Sequence, residues 1–270
     1  MNVGRTVRRW VPVLILIAGV AFAQTAVTDF QGPELEQFLS QGKITRGKQL
    51  EGVTRSFKVT LEMDGKTQFG VWKTIDEQKT VAQLDRGPEI GFQDSWRTDV
   101  AAYEVDRIIG LGMVPVTVER RFDGQTGSVQ LWVESKMTEF ERIQKKIRAP
   151  DTELWNRLIF KTRLFDNLIY NTDRHLNNLL ITETFQIRLI DHSRSFRWFD
   201  ELQKPKDLTR FSKGLLTGLG KLNEPILKER VGKYLTPDQI RGLLKRRDLI
   251  LELARKQVAE KGEAAVVYYP

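Results

Sequence analysis

Asp166-Asn167-Leu168-Ile169-Tyr170-Asn171-Thr172-Asp173-Arg174-His175-Leu176-Asn177-Asn178 is the stretch whose reading decides the fold, together with Leu189-Ile190-Asp191-His192-Ser193 beyond it. The two stretches hold both histidines of the chain. Two short strands are expected at 178–182 and 186–190, joined by a tight turn. That hairpin places Asp173, Asn178 and Asp191 at the ends of adjacent strands, where three oxygen-donor side chains converge. Magnesium takes oxygen ligands, usually one or two protein groups plus substrate phosphates. Aspartate and asparagine are also ordinary turn residues. Their conjunction with both histidines and an Asp-Arg-His run sets these three apart.

Working outward, the pattern before this stretch is strand-rich. Phe57, Val59, Leu61 and Met63 alternate, Asp64-Gly65 signals a hairpin turn, and 69–75 answers as a second strand with Lys73 inside it. Residues 80–95 read as a loop, with Gly87-Pro88 and Gly91. Asp94 or Ser95 would cap a helix over 98–111, whose Ala101, Ala102, Val105, Ile108 and Ile109 share one face, and Gly110 would end it. Strands at 114–121 and 128–134 complete this half. Helices follow at 137–147 and 151–170, and the chain is helical from Leu208 onward. Thr236-Pro237 starts the last long helix. Strands first and helices afterwards give an α+β layout with two lobes. The divisions expected are 24–52 as an N-terminal arm, 53–134 as a strand-rich N-lobe with one helix, and 135–270 as a helical C-lobe. The run Lys245-Arg246-Arg247 reads as a solvated helix face. Trp96, Trp132, Trp155 and Trp198 read as core.

The three oxygen donors fit the parts list of phosphoryl transfer. A carboxylate orients the attacking hydroxyl and takes its proton, and an amide with a second carboxylate holds metal on the phosphates. A lysine on an N-terminal strand contacts the phosphates, and an acid on a helix holds that lysine. Lys73 and the helix at 98–111 supply the last two in the required chain order. Two acids on that helix qualify, Asp99 and Glu104. They lie 140° apart on the wheel at 100° per residue, and the wheel does not choose between them. Lysine in an apolar strand is itself unusual, since lysine is rarely buried unpaired.

At these residues the chain resembles a group of atypical kinases. Asp-Arg-His-x-x-Asn followed by a metal aspartate resembles phosphatidylinositol 3/4-kinases and HipA-type kinases. Asp99-Val100-Ala101-Ala102-Tyr103-Glu104-Val105-Asp106-Arg107, then Val114-Pro115 and Glu119-Arg120, is similar to the secretory-pathway kinases of the Golgi casein kinase and four-jointed type. The resemblance spans about 52–196 and implies a two-lobed protein-kinase-like fold binding ATP with Mg²⁺ or Mn²⁺. It implies Asp173 as the catalytic aspartate, Asn178 and Asp191 as metal ligands and Lys73 as the phosphate lysine. It favours Asp99 over Glu104 as the partner of Lys73. It leaves His175 either catalytic or a buttress of the loop. Where the secretory kinases carry glutamate this chain has Asp99, it has no G-x-G-x-x-G, and Thr54 and Ser56, after Gly52, stand where a short phosphate loop would be.

The rest of the chain bounds the setting. Arg5, Arg8 and Arg9 precede the apolar run 11–20, and Ala21-Phe22-Ala23 follows, which is the layout of a signal peptide over 1–23. Export to the periplasm or outside the cell is expected, with a membrane contact only if this segment stays uncleaved. The formal net charge is +8, or +5 without the three arginines of that segment. So mild a bias does not argue for nucleic acid as a partner. With no cysteine, disulfides, zinc–thiolate sites, iron–sulfur clusters and a cysteine nucleophile are excluded. The expectation is therefore an exported kinase that moves the ATP γ-phosphoryl to a hydroxyl of a protein or glycan. The alternatives are a non-catalytic nucleotide-binding scaffold and an AMP transferase on the same fold.

Overall fold

The computed structural model describes residues 30–50, 56–84 and 87–269. The signal-peptide segment and Thr54 lie outside the described residues. A helix, α1 (Pro33–Gln41), leads into strands β1 (Lys43–Gln49), β2 (Phe57–Met63) and β3 (Lys66–Lys73). A second hairpin follows, β4 (Asp76–Leu84) with β5 (Gly87–Ser95), then α2 (Trp96–Ile109), β6 (Thr117–Phe122) and β7 (Gln125–Leu131). The main sheet is antiparallel, in the order β1-β2-β3-β7-β6. Helix α2 packs against β6 and β7. Ser95 caps it by accepting from Arg97 N at 3.2 Å, and Gly110 ends it in the left-handed region at φ 69°.

The second lobe starts with β8 (Met137–Thr138), α3 (Glu139–Gln144) and α4 (Thr152–Leu168). Strands β9 (Leu179–Ile181) and β10 (Ile187–Leu189) form a three-stranded sheet with β8. Then come β11 (Phe211–Ser212), α5 (Lys213–Leu219), α6 (Glu224–Val231), α7 (Pro237–Lys261), α8 (Glu263–Val266) and β12 (Val267–Tyr268). Thr236 caps α7 with Gln239 in a reciprocal box, as Thr-Pro implied. The α+β segregation into two lobes stands as read.

Four local readings change. The segment 24–52 is more than an arm. Within it α1 buries Leu35, Phe38 and Leu39, each contributing roughly 1.5–3 kcal/mol relative to exposure. Strand β1 then pairs with β2, with a register shift between Ile44 and Arg46. It is an edge strand rich in lysine and polar residues, so it shows no apolar alternation. The loop expected at 80–95 is instead most of the β4–β5 hairpin. Val81 and Ile90 are exposed there, and Glu89, Phe92 and Asp94 make their contacts with distant residues, which hides the strand pattern. Arg246 is fully buried rather than solvated. It donates to the carbonyls of Leu168 at 2.8 Å, Arg197 at 3.0 Å and Phe199. Trp96 and Trp155 are core, while Trp198 is exposed and its ring lies on Gly91.

Candidate active site

Lys73 closes β3, opposite Ser128 of β7. The two strands approach closely because residue 127 is glycine. A Cβ there would run into the Lys73 carbonyl and the Trp72 ring. The buried Lys73 ammonium lies 3.0 Å from Asp99 Oδ2 and 2.7 Å from Asp191 Oδ1. Asp99, one turn into α2, accepts the His192 backbone N–H on its other oxygen at 2.7 Å. Asp191 sits at φ 58°, a left-handed conformation that aspartate tolerates better than most residues. Its Oδ1 also accepts from Ser193 Oγ at 3.2 Å. One methylene less than glutamate is therefore no bar to the Lys73 contact. Glu104 points elsewhere. It pairs with Arg230 of α6 and lines a cavity of about 400 Å³ with Tyr103, Arg121 and Tyr234.

The electrostatics follow from two carboxylates around one ammonium. Burial alone would make Lys73 a weaker base, but Asp191 and then Asp99 outweigh it and hold its pKa above the ordinary value. Burial pushes Asp99 up, partly offset by Lys73, and the Asp191 charge pushes it further. Asp191 goes the other way: attraction to Lys73 outweighs its burial and pulls it down to about 2. With both acids ionised the cluster carries excess negative charge, which a divalent cation would neutralise.

Asn178 is next to Asp191 through the β9–β10 hairpin, where Ile190 N donates to the Asn178 carbonyl at 3.1 Å. Its side-chain amide makes no hydrogen bond to the described residues. Among the described residues no group of three or more His, Cys, Asp or Glu is placed to hold a metal ion. One carboxylate and one amide instead fit magnesium, which completes its shell with waters and substrate phosphates. They do not fit a structural zinc site.

The Asp173 loop is held by its own residues and by the segment after β10. Arg174 forks onto Asp166 of α4 at 2.9–3.2 Å and donates to the Ile190 carbonyl at 2.8 Å. Asn171 donates to Asp166 at 3.1 Å and accepts from Asp173 N at 3.0 Å. His175 is exposed, with Nε2 2.9 Å from Asp173 Oδ1. Arg194 Nη1 lies 3.3 Å from Asp173 Oδ2. His192 is fully buried, edge-on to Phe165 at 5.8 Å. Burial, reinforced by Arg174, keeps it neutral with a pKa well below the usual imidazole value. It is a packing residue whose backbone N–H serves Asp99. Ser56 begins β2's approach, its carbonyl accepting from Leu50 N at 2.8 Å.

The structure thus brings together Lys73, Asp99 and Asp191, and joins Asp173 with His175. Sequence reasoning missed Arg194 and the contact role of Asp94. The only sign of either is Arg194 closing the run Asp191-His192-Ser193-Arg194.

No family model matches the chain, and no curated protein matches it. Solved structures do. The structure of hydra Fam20 with sugar is similar over 87% of this chain and 91% of its own, at TM-score 0.65 and 18% identity. The Golgi casein kinase is similar over 87% of this chain and 78% of its own, at TM-score 0.60 and 15% identity. The Helicobacter pylori proinflammatory kinase CtkA covers 82% of this chain and 97% of its own, at TM-score 0.51 and 12% identity. At such identities the likeness is one of fold, and the fold of this chain is the two-lobed kinase-like fold.

Proposed function

We propose that this protein is an exported, metal-dependent phosphotransferase that moves the γ-phosphoryl of ATP to a hydroxyl of a protein or glycan. The observation that carries the reading is the Lys73–Asp99–Asp191 cluster between β3, α2 and the segment after β10, on a kinase-like fold. In this reading Lys73 binds the α/β-phosphates and Asp99 holds it there. Asn178 and Asp191 would hold Mg²⁺ or Mn²⁺, which when bound offsets charge on the phosphates. Asp173 orients the acceptor hydroxyl and takes its proton as that oxygen bonds to the γ-phosphorus and ADP leaves. His175 contacts Asp173 at 2.9 Å from an exposed position. Thr54 and Ser56 are assigned contacts to the phosphates. A cavity of about 450 Å³ lined by Ile90, Tyr170, Phe199 and Gln203 reaches Thr172, the residue before Asp173. Export rests on the segment 1–23. Among the described residues no helix is long and apolar enough to cross a membrane.

Asp191→Ala is expected to abolish Mn²⁺-dependent ATP binding measured by calorimetry. Unchanged affinity would sink the assignment. Incubation with labelled ATP, Mn²⁺ and a periplasmic extract then reads transfer, and the added mass separates a phosphoryl from an AMP group. One observation favours a second reading, a nucleotide-binding scaffold: Asp191 is salt-bridged to Lys73 and Asp173 to Arg194. Binding without hydrolysis or transfer would select it.

A further inference from the structure

Arg194 lies three residues beyond Asp191, and its guanidinium meets two carboxylates. Nη1 is 3.3 Å from Asp173 Oδ2 and Nε is 3.3 Å from Asp94 Oδ2. It stands over the Phe92 ring at 5.3 Å. Its main chain holds the same loop, because the Arg194 carbonyl accepts from Thr172 N at 3.3 Å and Thr172 Oγ1 at 3.1 Å. Asp94 is buried on β5, paired in register with Glu77 of β4. Among the described residues the other oxygen of Asp173 meets the His175 side chain, which is itself 69% exposed. The anchored partner of Asp173 is therefore Arg194. A carboxylate has about four acceptor positions, so these two contacts leave room for a hydroxyl. The two carboxylates are met by different nitrogens of one rigid guanidinium, Nη1 and Nε, a spread that the single ammonium of a lysine at this position does not reproduce.

We infer that Arg194 is a positioning residue of the transfer, tying Asp173 to Asp94 so that the β4–β5 hairpin of one lobe aims the carboxylate of the other. The inference rests on the phosphotransferase reading above. It goes beyond it by making the N-lobe hairpin part of the apparatus that sets Asp173.

The test compares Arg194→Met, Arg194→Lys, Asp94→Asn and the double variant R194M/D94N with the wild type. Transfer from ATP·Mn²⁺ gives kcat and KM, calorimetry gives ATP affinity, and thermal denaturation checks folding. Arg194→Met is expected to lower kcat about 100-fold, the scale set by a misplaced reacting group. KM for ATP and ATP affinity stay near wild type. Arg194→Lys recovers part of kcat. Asp94→Asn lowers kcat by a smaller factor, and the double variant is no slower than Arg194→Met, because both act through one contact. Full kcat in Arg194→Met or Arg194→Lys would overturn the inference. So would a double variant slowed by the product of the single effects, or equal losses in kcat and ATP affinity. If the wild type binds ATP but transfers nothing, the phosphotransferase reading falls first, and this inference with it. That failure is read on the wild type alone.

Discussion

Lys73, Asp99 and Asp191 come from three distant segments and meet with side-chain exposures of 11, 3 and 34%, whereas Asp173 and His175 share one loop at 22 and 69%. Lys73 and Asp99 of the first group are bound up with the interior. Asp99 holds the His192 backbone, and Thr98 beside it donates at 2.9–3.0 Å to the carbonyls of His192 and Ser193. The second group rests on a scaffold made by its neighbours Asp166, Asn171 and Arg174 together with Arg194, and the exposed His175 can change without disturbing the core. Under the proposed function, the difference separates residues that would serve both fold and chemistry from residues that would serve chemistry alone. Stability and activity measurements should therefore part company at the loop and move together at the cluster.

The largest expected effect is at Lys73. Lys73→Met leaves Asp99 buried without its cation, at a cost of about 3–5 kcal/mol of stability in denaturant unfolding. Asp99 then binds a proton more readily when folded than when unfolded, so the deficit relative to wild type should shrink as pH falls from 7 to 4. A loss below 1 kcal/mol, by the same scale, would erase the distinction between the two regions.

His192 gives a smaller effect with a defined pH window. Its folded pKa lies well below 6.5, so the unfolded state binds the extra proton as pH drops below that value. Stability contributed by the neutral ring is present above pH 6.5 and is lost on acidification, at up to about 1.4 kcal/mol per pH unit. Replacing the ring in His192→Phe should flatten that slope between pH 6.5 and 5. An unchanged slope would place the pH dependence in other groups.

The smallest effect on stability is expected at His175. As an exposed side chain outside the core, His175→Ala should shift unfolding by no more than about 0.5 kcal/mol. Transfer should fall if the contact to Asp173 matters. Destabilisation beyond that bound would mean that the loop is less self-sufficient than its hydrogen bonds indicate.

The same contrast explains what the sequence made legible. The Asp173 loop is contiguous, so its residues could be read together, and Asp166–Arg174 is closed within eight positions. Helix α2 announces itself by Ser95, its apolar face and Gly110. The helical wheel alone could not choose between Asp99 and Glu104, because Arg230, 126 positions away, claims Glu104; only the family resemblance favoured Asp99. Strand β1 and the β4–β5 hairpin were hidden because their side chains are polar, exposed or spent on partners remote in the chain. Arg246 carries the charge of a surface residue, and only the carbonyls it meets across the fold explain its burial.

The β4–β5 hairpin also has a consequence for the order of folding. Its strands are adjacent in sequence and pay little loop-closure entropy, so it can form early. Its outward bonds are remote: Gln93 donates to the Ser195 carbonyl at 2.7 Å, and Gln239 of α7 donates back to Gln93 at 2.7 Å, 146 positions on. Those bonds close only when both lobes are largely built. They therefore belong to the late side of the folding barrier, where interactions slow unfolding more than they speed folding. The hairpin begins as a local element and ends as a clasp whose strength sets how long the two lobes stay joined.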